Sequence, residues 1–223
     1  MTLLRRLGAE FLGGALLAVI VIGSGIAAQR LSPSDTGLQL LENALATALG
    51  LGALILVLAP VSGAHFNPVV SIVDSASGRR PWRDTLLYIP TQIAGCIGGA
   101  ILANLMFGDP AVTISTTERL TPAHFLSEIV ATAGLILVIF ALVRSGRANL
   151  APVAVGAYIG AAYFFTSSTS FANPAITIGR MFSDTFAGIA PGSAPGFIAA
   201  QLIGAAVGFL IVRFLYPSPA PAA

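Results

Sequence analysis

The chain has 223 residues, of which 56% are hydrophobic and 9% charged. A soluble domain carries about 25% charged residues, so this composition excludes a large water-soluble core and indicates an integral membrane protein whose surroundings are a lipid bilayer. The formal net charge of +2 rests on 11 basic residues, every one an arginine, too few and too scattered for the basic stripe that binds nucleic acid.

Six stretches are long and apolar enough to cross a bilayer as helices. The first runs from Leu7 to Ala28 and contains Glu10. Its Arg5-Arg6 start and its Gly-Ile-Ala-Ala end mimic a secretory signal, but the apolar run is long enough to span and reads as retained. The second runs from Gly37 to Pro60. Next comes Ser62-Gly63-Ala64-His65-Phe66-Asn67-Pro68-Val69, with only about ten helix-compatible residues after it, too short to cross. The third span, Trp82 to Phe107, holds Gln92 and the single cysteine, Cys96, which excludes an internal disulfide and a cysteine metal cluster. The fourth, Phe125 to Val143, contains Glu128, and the fifth, the shortest, runs from Leu150 to Tyr163 with room to extend to about Thr166. A second polar phrase follows, Ser168-Thr169-Ser170-Phe171-Ala172-Asn173-Pro174-Ala175. The sixth span is Pro195 to Leu215, with Gln201, and residues 216–223 form a proline-rich tail expected to be disordered.

Asn is a preferred helix N-cap and Pro a preferred first helical residue, so each Asn-Pro triplet marks a helix start. Placed at membrane depth, each would open a re-entrant half-helix. Irregular backbone survives there only beside protein or a water-filled path, and the pair therefore argues for a pore. If each Asn caps with its carbonyl oxygen, its amide N–H groups are left to face that pore.

Arginine placement fixes the orientation. With the N-terminus inside, Arg5, Arg6, Arg79, Arg80, Arg83, Arg144, Arg147 and Arg213 fall on the cytoplasmic side and Arg30, Arg119 and Arg180 outside, eight against three. The halves also correspond. Glu128 follows Glu10 by 128 − 10 = 118 residues, Asn173 follows Asn67 by 173 − 67 = 106, and Gln201 follows Gln92 by 201 − 92 = 109. Three spans and a half-helix per copy is an odd number of crossings, so the copies are inverted, roughly over residues 1–110 and 120–215 of one domain covering 1–223. Inverted repeats place the functional site at the midplane.

Ser62-Gly63-Ala64-His65-Phe66-Asn67-Pro68 and Asn173-Pro174-Ala175, in these positions and with matching intramembrane glutamates, resemble the two signatures of the aquaporin (major intrinsic protein) family over essentially the whole chain. The resemblance implies an all-α bundle of six transmembrane helices plus two re-entrant half-helices, assembled as a homotetramer with one pore per protomer in the inner (plasma) membrane, both termini cytoplasmic. It implies passage of small neutral solutes without a cofactor or metal. The positive ends of both half-helix dipoles at the midplane would repel cations and protons.

The family usually carries Arg directly after the second Asn-Pro-Ala, and this chain has Ile176. Counting without gaps from the two motifs, the family's narrow constriction falls on Thr47, Ala161, Ser170 and Ile176, where water-selective members have a large aromatic, a His and the Arg. Smaller and uncharged groups predict a wider, more apolar ring that favours polyols or metalloid hydroxides. Val69 adds apolar bulk at the midplane. With Ser-Phe-Ala before the second motif, this ring is similar to a bacterial branch associated with arsenic resistance, which implies passage of arsenous acid and methylated arsenicals.

Arg180, one turn beyond Ile176, either stands at the outer mouth or forms an ion pair with Asp184. Glu10 and Glu128 read either as proton-relay carboxylates or, as the resemblance implies, as braces for the re-entrant loops. His65 either touches the inner pore or is a hydrogen-bonded loop histidine. The competing class is a secondary transporter coupled to a proton gradient, which also uses inverted repeats and broken helices. An intramembrane enzyme would need a nucleophile–base pair or metal-ligand cluster at helical spacing, and the sequence offers neither.

Overall fold

A computed structural model describes residues 1–217, so most of the tail expected to be disordered, from residue 218 on, lies outside the described residues. Every regular element among them is helical: α1 (Leu3–Leu31), α2 (Thr36–Ser62), α3 (Pro68–Ala76), α4 (Trp82–Met106), α5 (Pro122–Arg144), α6 (Ala151–Phe165), α7 (Pro174–Gly179) and α8 (Ala194–Leu215), with short 3-10 turns at Ala148–Leu150 and Arg180–Phe182. Six of these are long and apolar enough to cross a membrane; α3 and α7, of nine and six residues, are not. α1, α2 and α5 overrun their expected limits by one to four residues at each end, their polar N-terminal residues supplying caps, while α4 and α8 match theirs to within one residue. Thr2 accepts from the Arg5 N–H, Asp35 from Leu38 and Thr121 from His124.

The two halves repeat one packing scheme. In the first, α1 packs along α4, and in the second α5 packs along α8, while α2 lies against α6 across the junction. Small residues permit the approach that gives helices their dispersion contacts in lipid. A Cβ on Gly99 of α4 would sit 2.1 Å from the Ala15 carbonyl of α1, and one on Gly204 of α8 would sit 2.5 Å from the Ile129 carbonyl of α5.

The polarity is inverted relative to a soluble protein. Leu45, Leu49, Leu56, Leu86, Phe164 and Phe214 are exposed, as a lipid-facing surface requires, while Glu10, Gln92, Glu128 and Gln201 are fully buried. These four polar side chains stand beside the half-helices. Isolated helices this short are unstable even in water, and in hydrocarbon each unpaired backbone group costs several kcal/mol, on the order of the peptide transfer penalty. Both half-helices must therefore be held by side chains.

Candidate functional site

The half-helices start where the Asn-Pro triplets predict. Asn67 Oδ1 accepts from the Val69 N–H at 3.1 Å; Asn173 Oδ1 accepts from Ala175 at 2.9 Å and Ile176 at 3.3 Å. The side-chain nitrogens are not both left free, as the capping argument alone suggests. Asn67 Nδ2 donates to the Ala172 carbonyl at 2.8 Å, and Asn173 Nδ2 donates to the Phe66 carbonyl at 2.9 Å. Each amide thus commits one hydrogen to the opposite loop, and its second meets no protein acceptor among the described residues. Both asparagines line the central cavity.

This exchange needs loop backbone turned into the left-handed region. Gly63, Ala64 and Phe66 have φ of 95°, 50° and 49°; their counterparts at an offset of 169 − 63 = 106, Thr169, Ser170 and Ala172, have 63°, 51° and 48°. Non-glycine residues there cost about 1–3 kcal/mol each and persist only where the surroundings over-determine them. The buried glutamates do so. Glu10 accepts from Ser62 Oγ (2.6 Å), the His65 and Phe66 N–H groups (3.0 and 2.7 Å) and Gln92 Nε2 (2.7 Å). Glu128 accepts from Ser168 Oγ (2.6 Å), the Phe171 and Ala172 N–H groups (both 2.9 Å) and Gln201 Nε2 (2.7 Å). Gln92 passes the network on to Ser71 of α3, and Gln201 to Thr177 of α7.

A cavity of about 530 Å³ runs along the asparagine pair. Its wall is mainly aliphatic, with Leu17, Val21, Leu51, Ile55, Leu135, Val155 and Ile159. Of the four residues placed at the constriction by counting, Thr47, Ser170 and Ile176 are on this wall and Ala161 is not. Ala161 is exposed on the outer surface of α6. The ungapped count misses the helical phase: Tyr163, two residues on and about 200° around α6, is the side chain turned inward instead. Tyr163 is 3% exposed, lines the cavity, and its hydroxyl lies 3.1 Å from Thr47 Oγ1. Ser170 Oγ is buried without a partner. Val69 also departs from expectation. It faces away from the cavity into a cluster with Val73, Ile136, Phe140, Ala205 and Val212. Pro68, Pro174 and Ala175 are buried in the half-helix first turns and do not line the cavity.

At the end where α1 begins and α8 finishes, the cavity meets His65, Asp74, Arg79 and Arg80. His65 Nδ1 lies 3.0 Å from Ser71 Oγ, and its ring meets Tyr88 edge-on. Asp74 takes Arg79 Nε and Arg80 Nε, both at 3.1 Å, and Arg80 Nη2 donates to the Ser62 carbonyl at 3.0 Å. Sequence reasoning singled out His65 here but not the Asp74–Arg80 pair, whose signal was an acidic residue in a half-helix followed by two arginines.

At the opposite end, α7 stops at Gly179, and Arg180, which opens a 3-10 turn, lines the cavity. The expected ion pair with Asp184 does not form, because the change of helix type removes the i, i+4 register. Asp184 Oδ1 instead accepts from the Thr116 N–H at 2.8 Å. The Arg180 guanidinium lies over the Phe171 ring, 3.4 Å from its centroid, and its Nε donates to the Ala187 carbonyl. Arg119, known from the sequence only as an outer-loop charge, approaches the same ring at 5.6 Å. Arg119 is half-buried, and that partial loss of water lowers its pKa from the ordinary arginine value.

The chain matches the family Major intrinsic protein over residues 1–172. Aquaglyceroporin AqpS of Rhizobium meliloti is 48% identical over 219 residues, covering 98% of this chain and 93% of that protein. A glycerol uptake facilitator protein of Streptococcus pneumoniae is 33% identical over 196 residues, covering 79% and 82%. The aquaglyceroporin from Plasmodium falciparum superposes with a TM-score of 0.71 over 95% of this chain and 96% of its own, at 23% identity, and so shares the fold.

Proposed function

The chain belongs to the major intrinsic protein family, and on that premise we propose that it is a passive channel for small neutral solutes which excludes ions and protons. The observation that carries the reading is the cavity along Asn67 and Asn173, with its apolar wall and its few convergent polar groups. An aliphatic wall replaces none of an ion's hydration, whereas a neutral hydroxyl compound loses little and regains hydrogen bonds at the asparagine amides. Both half-helices point their positive ends at that junction, which opposes cations and a proton wire.

The solutes proposed are water, glycerol-like polyols and neutral metalloid hydroxides such as arsenous acid, with methylated arsenicals in the same class. Ile176 leaves the family's usual arginine position apolar, while Thr47, Tyr163 and Ser170 put hydroxyls on the same wall. A ring with one apolar and one hydroxyl-bearing side suits a solute having both characters. Arg180 supplies the only guanidinium at that end of this cavity among the described residues. Homotetrameric assembly, a plasma-membrane location and cytoplasmic termini belong to the same proposal, the last supported by the eight-to-three arginine bias.

The glutamates favour a channel over a proton-coupled transporter. Glu10 and Glu128 each hold four donors that include two loop N–H groups, and protonation would release those loops. Stopped-flow light scattering on reconstituted vesicles, comparing water, glycerol and arsenous acid, tests the proposal. Faster entry of the two hydroxyl solutes than in protein-free vesicles supports it, and entry at the protein-free rate for all three rejects it.

A further inference from the structure

Two guanidiniums converge on one phenyl ring at the outer end, and neither has an acidic partner among the described residues. Arg180 follows α7 and Arg119 lies in the loop before α5; both flank Phe171. Each is anchored to the loop before α8, Arg180 through Nε to the Ala187 carbonyl, Arg119 through Nε to Gly188 at 2.6 Å and Nη2 to Phe186 at 2.8 Å. Both terminal nitrogens of Arg180 and Nη1 of Arg119 then meet no protein acceptor among the described residues. No Asp or Glu oxygen comes within 4.0 Å of either guanidinium among those residues. The carboxylates closest in sequence are engaged elsewhere, Asp184 with Thr116 and Glu118 with Ser193, and the buried Glu128 is taken up by its four donors.

Arg180 is only 3% exposed. A guanidinium cannot shed its proton, and a buried cation is costly unless paired or hydrogen-bonded. The ring covers one face and leaves the edge unsatisfied. That edge has space before it. A cavity of about 300 Å³ is lined by Arg119 and Arg180 together with Thr36, Asn43 and Thr169, and Arg180 also lines the central cavity. The guanidinium therefore stands at the seam between an outer vestibule and the path.

We propose that this vestibule binds a small inorganic oxyanion between Arg119 and Arg180, and that the bound anion closes the path from outside. An anion of phosphate or sulfate size offers at least two anionic acceptor oxygens to the free N–H groups, the charge-assisted geometry that guanidiniums favour. It travels no further, because the wall beyond, with Leu51 and Ile55, replaces none of its hydration. The closure rests on the channel reading; the binding does not.

Calorimetric titration of the detergent-purified protein with inorganic phosphate, at ionic strength balanced with chloride, tests the binding. Saturable binding is expected, weakened at least ten-fold by Arg119→Gln and unchanged by Arg213→Gln, which alters a distant arginine. Thr36→Asp provides a second variant that keeps both arginines. It sets a carboxylate at the vestibule in a helix first turn, where acidic residues are tolerated, and it too should weaken phosphate at least ten-fold. In right-side-out vesicles, external phosphate should slow glycerol entry several-fold, and internal phosphate should not. Absence of saturable binding, equal affinity in all variants, or block only from inside would overturn the proposal. If no solute crosses at all, the titration still decides it; if glycerol crosses and phosphate does not bind, this proposal alone falls.

Discussion

Asn67 and Asn173 hold each other's loops: Asn67 Nδ2 donates to the carbonyl preceding Asn173, at 2.8 Å, and Asn173 Nδ2 to the carbonyl preceding Asn67, at 2.9 Å. Each residue caps its own half-helix with oxygen and secures the other with nitrogen. Losing a cap costs about 1 kcal/mol, and an orphaned buried carbonyl about 1–3 kcal/mol more. Asn67→Ala and Asn173→Ala should each lower the thermal midpoint in detergent. The double variant should lose less than their sum, because parting the loops once removes both ties. Strict additivity of the two midpoint shifts would speak against a shared junction.

Removing either glutamate should be more damaging. Glu128→Ala leaves four donors without their acceptor, at about 1–3 kcal/mol for each one that stays buried and unpaired. Glu128→Gln turns a donor toward donors and should also fail. Glu10 has the equivalent partners, so Glu10→Ala should cause a similar loss. Size-exclusion profiles after detergent extraction provide the check, with monodisperse yield expected to fall sharply in all three. Wild-type yields would show that the loops are held otherwise.

The spans, the two helix starts and the paired glutamates were legible because each leaves a local mark: an apolar run, Asn before Pro, a carboxylate where lipid forbids one. The exchange of amide bonds between Asn67 and Asn173 was not, since it depends on two loops meeting from opposite halves. The phase of α6 was lost too. An ungapped count placed Ala161 at the constriction, and only the helix itself shows Tyr163 turned inward. Arg180 was singled out from the sequence and lines the cavity, but its partner was not legible, because the switch from α7 to a 3-10 turn at Arg180 breaks the i, i+4 spacing that the count assumed. Arg119 was hidden by its setting, a loop charge that becomes partly buried only when the segment before α8 folds against it.

The α6 register gives a paired test. Tyr163→Phe removes the hydroxyl facing Thr47 and keeps the ring volume. Glycerol permeability should fall about three- to ten-fold relative to water, the loss of about one hydrogen bond. Ala161→Leu, on the exposed surface of α6, should leave both permeabilities unchanged. Reversed outcomes for the two variants would restore Ala161 to the path.

Ile176→Arg should turn the apolar side of this wall into a charged and narrower one. The glycerol-to-water permeability ratio is expected to drop at least about ten-fold, because a guanidinium both fills the apolar side and competes for the solute's hydroxyls. An unchanged ratio at equal protein content would remove Ile176 from the selectivity account.

The most direct measurement is glycerol entry into reconstituted vesicles with and without an imposed proton gradient. The predicted result is entry well above that of protein-free vesicles, ending at equal concentrations on both sides, at a rate the gradient does not alter and without dissipating it. Glycerol accumulated against its own gradient, or entry no faster than through bare lipid, would contradict a passive path along Asn67 and Asn173.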